Sequence, residues 1–486
     1  MSSPGLHMGT AKGRWVVAAA VLGSGVAFLD GTVVNAALPA ISRDLHADLG
    51  DLQWVLTGYL LTLGSLLVLG GSLGDRFGRR RIFQIGLISF ALMSLLCAIA
   101  PDTSFLIAAR CLQGVAAALL VPNSLAIVSA SFAPVDRARA IGAWSGLGGI
   151  ATAIGPFLGG YLIDSVSWRW VFVINLPIAA AAAWIAQVHV PESRDEHAAA
   201  HLDVTGSALL TFGLAGLVYA LIEGPGNGWK LLPVVLGVLG VLALAAFLLV
   251  ESRKQNPMIP LSIFRSEQFS GANAVTFMVY AAFATVTFLL VVHLQTDLGY
   301  SALEAGASLL PITACMLLLS ARAGMLAQRI GPRIPMTVGP LVVALGMVLL
   351  GRVDPGTTYW ETVLPAMIVL GLGLSLTVAP LTATVLGAVE DAHAGIASAI
   401  NNAVARIAGL LAVAVLPAAA GLNAKHGLDL VDGFPRAMYI AAVLSAAGGV
   451  LAFLTIRRAV FMEPLRQANP SIPCYETGPP VAGSHA

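Results

Sequence analysis

Fourteen long apolar runs, separated by short charged breaks, leave this chain little choice of fold. They cover approximately residues 15–39, 53–74, 82–100, 105–129, 139–163, 170–190, 203–223, 230–250, 269–293, 304–326, 335–352, 360–386, 395–420 and 435–457. Each is close to the roughly twenty residues that carry a helix across a hydrocarbon core about 30 Å thick. Only 10% of the 486 residues are charged, against about 25% in soluble domains. A water-facing surface of ordinary chemistry cannot be covered, which excludes a soluble protein. Backbone polar groups must pair within the bilayer, so the runs are helices or a closed barrel. Barrel strands are about ten residues of alternating polarity, and that pattern is missing.

Lys and Arg in the connections set the orientation. With the N-terminus inside, the inner segments hold seventeen and the outer loops six, while Arg110, Arg322 and Arg406 lie within spans. Both termini are therefore expected in the cytoplasm. The first run is too long for the core of a cleavable signal and lacks a cleavage-type ending, so it is read as a retained span. Cys97, Cys111, Cys315 and Cys474 show neither paired nor metal-like spacing. No metal or cofactor is expected. The proline-rich tail after Arg458 reads as disordered.

The chain also repeats itself. Gly71-Ser-Leu-Gly-Asp-Arg-Phe-Gly-Arg-Arg80 returns in weakened form as Gly324-Met-Leu-Ala-Gln-Arg-Ile-Gly-Pro-Arg333, offset by 253 residues. Each copy ends one span and opens the next on the inner side. Two parallel repeats of six spans with a cavity between them form a known transporter plan. The expected division is a cytoplasmic N-terminus (1–14), an N-terminal six-helix bundle (15–190), two linker spans (203–250), a C-terminal six-helix bundle (269–457) and the tail (458–486).

Several segments carry a resemblance. Gly71–Arg80 is similar to the loop signature of the major facilitator superfamily, and Leu29–Pro39 resembles the first-span signature of its fourteen-span drug:proton antiporter family. Arg110-Cys-Leu-Gln-Gly114 and Gly155-Pro-Phe-Leu-Gly-Gly160 resemble the fourth- and fifth-span signatures, and Trp168-Arg-Trp170, Asn175 and Pro177 also match. The resemblance implies an all-α polytopic fold of two six-helix bundles plus two extra central helices. It further implies a proton-coupled exporter of small, amphipathic drugs or metabolites.

Asp30 carries most of the functional expectation, because every other carboxylate within the spans lies near a span end. A carboxylate at that depth is costly unless paired, protonated or functional. Arg110 of the fourth span reaches the same level, so the two are expected to pair or compete, with a structural ion pair as the plainer alternative. Proton exchange requires Asp30 to be reachable by water from a vestibule between the halves. Gly71, Gly74, Asp75, Arg76, Gly78 and Arg79 are read as a conformational latch, with Arg137 and Arg139 biasing it; a topology anchor is the plainer alternative. By family analogy, Asp75 meets the start of span 13 near Ala394 and Gly395, only when the inner side is shut.

Small residues at 151, 155 and 159 line one face of the fifth span, and Pro156 bends it. Gly155, Pro156, Gly159 and Gly160 are therefore expected to form a tight helix seam, which in the family marks exporters. Arg406 lies near the midplane with no acidic partner in its own half, so it is assigned to a wet cavity wall, with packing on backbone carbonyls as the alternative. Asn35, Trp54, Tyr59, Gln113, Asn123, Tyr280, Asn401 and Asn402 complete the expected cavity. Two arginines against one carboxylate favour neutral, anionic or monocationic substrates. The expected partners are a small molecule, protons and membrane lipids, with no nucleic acid and a monomeric protein. No enzyme or nucleotide-binding signature is found. A lipid or envelope-precursor exporter and a non-transporting sensor or assembly partner remain the alternatives.

Overall fold

The computed structural model describes residues 6–195, 202–254, 257, 259–389, 394–422 and 430–457. The expected tail lies outside the described residues.

Fourteen helices among the described residues are long and apolar enough to span a membrane. In chain order, spans 1 to 7 are Ala11–Leu45, Leu49–Phe77, Arg79–Ala98, Thr103–Ser131, Val135–Ser165, Trp170–His189 and Val204–Gly226. Spans 8 to 14 are Leu231–Arg253, Glu267–Thr296, Ala302–Ile330, Arg333–Leu350, Tyr359–Gly387, Ile396–Ala419 and Gly433–Thr455. Every apolar run read from the sequence is recovered as one of them. The chain is a multi-pass membrane protein.

Local chemistry explains where the helices start. Asp48 and Asp51 form a reciprocal capping box at span 2, and Ser301 and Glu304 form another at span 10. Thr10, Asp102, Asp203 and Ser266 cap spans 1, 4, 7 and 9 by accepting from backbone N–H groups of the first turn. These caps satisfy donors that would otherwise be orphaned at a helix start. Spans 2 and 10 end differently. Gly78 (φ 110°) and Gly331 (φ 86°) occupy the same place in the two copies of the repeat, and both turn the chain with a positive φ that favours glycine.

The packing follows the repeat. Span 1 packs on spans 5 and 6, span 2 on span 4, and span 3 on spans 4 and 6. Shifted by eight spans, the same pairs recur: 9 on 13 and 14, 10 on 12, and 11 on 12 and 14. The two halves meet chiefly where span 2 faces span 13 and span 5 faces the start of span 10. Spans 7 and 8 pack on each other, and span 7 also touches spans 2 and 13. Leu214, Val218 and Ile222 of span 7 are buried against Leu61 of span 2 and Leu410 and Ala414 of span 13. Span 7 therefore covers one of the two seams between halves, while span 8 lies outside it.

Spans 1 and 14 place the described chain ends on one face, here called the terminal face. Hydrogen bonds between the halves cluster toward the opposite face. Gln295 Nε2 donates to the Ala36 carbonyl (3.0 Å), and Gln53 Nε2 to that of Val413 (2.6 Å). Asp164 accepts from the backbone of Ala302 (3.2 Å) and Leu303 (2.8 Å). On the terminal side one face of span 5 is open, since a Cβ at Gly142, Gly146 or Gly149 would meet nothing within 4 Å, while Ala140 and Trp144 hold its other face on the N-terminal half.

Candidate functional site

Asp30 sits midway along span 1, fully buried, and its carboxylate is the hub of a polar cluster inside the N-terminal half. Arg110 Nη1 donates to Asp30 Oδ2 at 2.5 Å. Gln113 Nε2 and Asn175 Nδ2 donate to Oδ1 at 3.0 and 2.8 Å. Each donor is placed by its helix: Arg110 and Gln113 are one turn apart on span 4, and Asn175 follows a break in span 6 at Ile174. Arg110 Nη1 also donates to Gln113 Oε1 (2.5 Å), and its Nε to the Val55 carbonyl (3.2 Å). Ser94 of span 3 accepts from both Gln113 (2.8 Å) and Asn175 (3.3 Å). The guanidinium lies 4.3 Å over the Tyr59 ring, whose hydroxyl donates to the Ala27 carbonyl (3.0 Å). Arg110 Nη2 and Asn175 Oδ1 are buried without a hydrogen-bond partner among the described residues.

The expected pairing of Asp30 with Arg110 is present. The expected wet approach to Asp30 is not: both side chains are 0% exposed. Tyr59 and Gln113, assigned from sequence to the cavity, are 1% and 0% exposed and instead enclose the pair. The sequence reading placed them by depth, and depth does not reveal that their side chains point into the half.

Two further cavity assignments need correction for similar reasons. Asn123 is fully buried and donates to the Gly70 carbonyl (2.9 Å), clamping span 4 to span 2. Its Oδ1 occupies the space at Gly74, where an added Cβ would lie 1.5 Å away. Trp54 turns to span 7, donating from Nε1 to Glu223 at 3.2 Å and lying beside Tyr219. Asn401 bonds across to span 9, through Asn273 (3.1 Å) and Thr276 (2.7 Å). Asn402 is exposed and bonds back to its own helix at Ser398. Asn35 is half-buried and has no hydrogen-bond partner among the described residues.

Arg406 is half-buried on span 13 where that helix meets span 2; a Cβ on Gly64 would lie 3.7 Å from Arg406 Cβ. Tyr280 of span 9 is half-buried and packs against Ala408 and Ala412, just beyond Arg406 on span 13. Its Nε is enclosed without a hydrogen-bond partner, and among the described residues no carboxylate pairs with it.

The glycines of span 5 form the expected seam. Added Cβ atoms would lie 2.0 Å from Thr32 Oγ1 at Gly155 and 2.6 Å from the Val33 side chain at Gly159, so span 1 seats directly on this face. The seam also crosses to the other half. A Cβ at Gly160 would lie 2.4 Å from the Ala302 carbonyl, and one at Gly306 2.1 Å from that of Pro156.

The Gly71–Arg80 loop docks within its own half. Asp75 pairs with Arg79 at 2.7 Å, and its carbonyl accepts from Asp195 N–H (3.0 Å). Arg79 N–H donates to the Ser193 carbonyl (3.0 Å), while Arg80 and Arg81 N–H donate to Glu192 at 3.0 and 3.2 Å. Gly78 turns the chain beside Glu192; Arg76 is exposed, as are Arg137 and Arg139. The side chains of Ala394 and Gly395, and residues 390–393, lie outside the described residues.

This architecture can be compared with known proteins. A family model described as Major Facilitator Superfamily matches residues 20–413 and, in a second match, 274–471. The chain belongs to the major facilitator superfamily. It is a member of a transporter family rather than an enzyme. It is 38% identical over 438 residues to the puromycin resistance protein pur8 of Streptomyces alboniger, covering 87% of this chain and 86% of that one. It is 37% identical to the tetracenomycin C resistance and export protein of Streptomyces glaucescens, covering 80% and 72%. A crystal structure of a peptide transporter, POT, in complex with sulfate superposes with a TM-score of 0.70 over 93% of this chain and 96% of that one. At 13% identity that likeness speaks for the fold alone.

Two polar clusters of this superfamily member escaped the sequence reading. Buried His293 of span 9 faces Asp297 with Nδ1 (2.6 Å) and the Val353 carbonyl with Nε2 (3.2 Å), stacked on Phe434. Lys254 bonds Asp203 and approaches Glu251 (3.6 Å), tying together the ends of spans 7 and 8 at the terminal face. The His-to-Asp spacing of four residues at the end of span 9 was the available signal for the first. Asn175 was named for the resemblance but not assigned to the Asp30 cluster.

Proposed function

We propose that the chain exports small amphipathic molecules across a bacterial plasma membrane by alternating access, each export step coupled to inward proton movement. It works as a monomer with both termini cytoplasmic, so the terminal face is the inner one. The halves are then sealed at the outer face and looser at the inner face, an inward-facing state. The observation that carries the coupling is the buried Asp30–Arg110 pair. Two donors fill Asp30 Oδ1 and Arg110 alone holds Oδ2, so a proton has room only on Oδ2, where it removes the charge that compensates the buried guanidinium. Protonated Asp30 therefore belongs to a different arrangement of spans 1, 4 and 6. Since the pair is dry here, the proton is loaded in the outward-facing state and released as this cluster forms.

Relatives named for resistance and export support the direction of transport. The spans 5 and 10 seam supplies the outer barrier, and the Gly71–Arg80 loop is free of span 13 when the inner side is open. Asp75 exchanges Arg79 for the start of span 13 as that side shuts. The test is uptake by inside-out membrane vesicles with an acidified lumen, screened against aromatic antibiotics of acidic, neutral and basic character. Uptake should follow the pH gradient, stop with a protonophore and be lost in Asp30→Asn while the variant remains folded. Uphill transport by Asp30→Asn at the wild-type rate removes Asp30 from the coupling.

A further inference from the structure

Two buried charges and one half-buried charge lie within the spans near the middle of the molecule, and their sum is not zero. Asp30 and Arg110 neutralise each other at 2.5 Å. Arg406 has no counterion among the described residues, and its Nε is enclosed with nothing to donate to. A guanidinium at membrane depth is costly unless it meets water or an acceptor. It also cannot shed its proton to escape that cost, since arginine stays charged throughout the accessible range. The Asp30 carboxylate is already committed to three donors inside the N-terminal half, and the Tyr59 ring lies under Arg110.

Position adds a second argument. Arg406 stands on span 13 beside span 2, where the two halves meet, rather than inside either half. Gly64 of span 2 faces Arg406 from the N-terminal half, and Tyr280 of span 9 packs against Ala408 and Ala412 of its own half. A molecule held there is in reach of both halves, and it meets a planar fork of donors next to the apolar cluster of spans 9 and 13 that includes Phe277 and Tyr280. That combination suits a flat apolar body with an oxyanion, because a carboxylate accepts two parallel N–H bonds from one guanidinium.

We propose that Arg406 is the receptor for an acidic group on the transported molecule, and that the substrates are amphipathic aromatic acids with one negative charge. The inference rests on the exporter reading for the ligand's role as cargo. One anion brings the central charge to zero while Asp30 is ionised, whereas the empty protein in that state carries one unpaired cation. Exclusion between proton and substrate is then conformational, since each binds the state that the other disfavours. Exchange of one anion outward for one proton inward moves two charges the same way, so an inside-negative potential drives both.

The experiment is equilibrium binding to purified full-length protein in lipid nanodiscs. The probes are anthraquinone-2-carboxylate, its neutral amide and the cationic 2-aminomethyl analogue. A hydrogen-bonded charge pair corresponds to roughly ten- to hundred-fold in affinity, so the acid should bind tighter than the amide by about that factor, and the cation least. Arg406→Gln should abolish the preference for the acid, and Arg406→Lys should keep part of it. The melting temperature of Arg406→Gln should be no lower than that of the wild type, because a cation that packs on nothing stabilises nothing. Failure of the acid to bind, equal binding of acid and amide, an unaltered preference in Arg406→Gln, or marked destabilisation of that variant would each overturn the assignment. Acid binding with the expected variant pattern, but no transport in sealed vesicles, would instead sink the exporter reading and leave the anion site standing.

Discussion

Gly160→Ala should tip the protein from its outer-closed state toward an outer-open one. The new Cβ would sit 2.4 Å from the Ala302 carbonyl oxygen and 2.5 Å from Leu303 Cα, where ordinary contact begins at 3.4 Å. Both obstructing atoms are backbone, so no side chain can rotate away, and the halves must separate by about 1 Å along this contact. Overpacking of this kind costs roughly 1–3 kcal/mol. The clash crosses the boundary between halves, so that cost falls on the closed state alone. The ratio of closed to open molecules should therefore drop by about 5- to 150-fold. Spin labels at exposed Val166 and Arg352, with the native cysteines replaced, would report the outer mouth by pulsed distance measurement. The long-distance population should grow in Gly160→Ala and stay unchanged in Gly142→Ala, where a Cβ meets nothing within 4 Å. An unchanged distance distribution in well-folded Gly160→Ala would show that the seam bends locally instead of holding the halves together.

Other perturbations test the interior. Arg110→Met strands a buried carboxylate and should lower stability by about 3–5 kcal/mol; adding Asp30→Leu should recover much of that loss, read as melting temperature in detergent. Gly74→Ala drives a Cβ into Asn123 Oδ1 and should cost roughly 1–3 kcal/mol; the double variant Gly74→Ala/Asn123→Ala should melt higher than the single one. His293→Phe keeps the ring on Phe434 but deprives Asp297 and the Val353 carbonyl of their partner. It should destabilise by about 1–3 kcal/mol without shifting the pH dependence of transport.

The spans were legible because a helix in lipid must be apolar along its whole length, a signal that survives without any knowledge of packing. Glycine turns at 78 and 331 were legible for a related reason: the repeat copies the backbone device even where Asp75 has become Gln328. Depth along a helix also paired Asp30 with Arg110 correctly. Direction around the helix was the part that did not come through. Asn123 and Gln113 lie at cavity depth, yet both face into the N-terminal half, and a span that is apolar on all sides offers no periodicity to say which way a lone polar residue points. Trp54 was misplaced because its partner, Glu223, belongs to span 7, whose docking site left no trace in the order of the runs. Gly160 was seen as part of a small-residue stripe, but the stripe could not show that its last member reaches the opposite half.

The coupling claim is tested most directly by counting protons. Purified wild-type protein in weakly buffered detergent, with a pH indicator present, is titrated with a transported compound. Substrate selects the inward-facing state with the Asp30–Arg110 pair intact, so binding should release protons from the wild type and none from Asp30→Asn. Proton release of equal size from both proteins, or none from a wild type that binds substrate, contradicts the account.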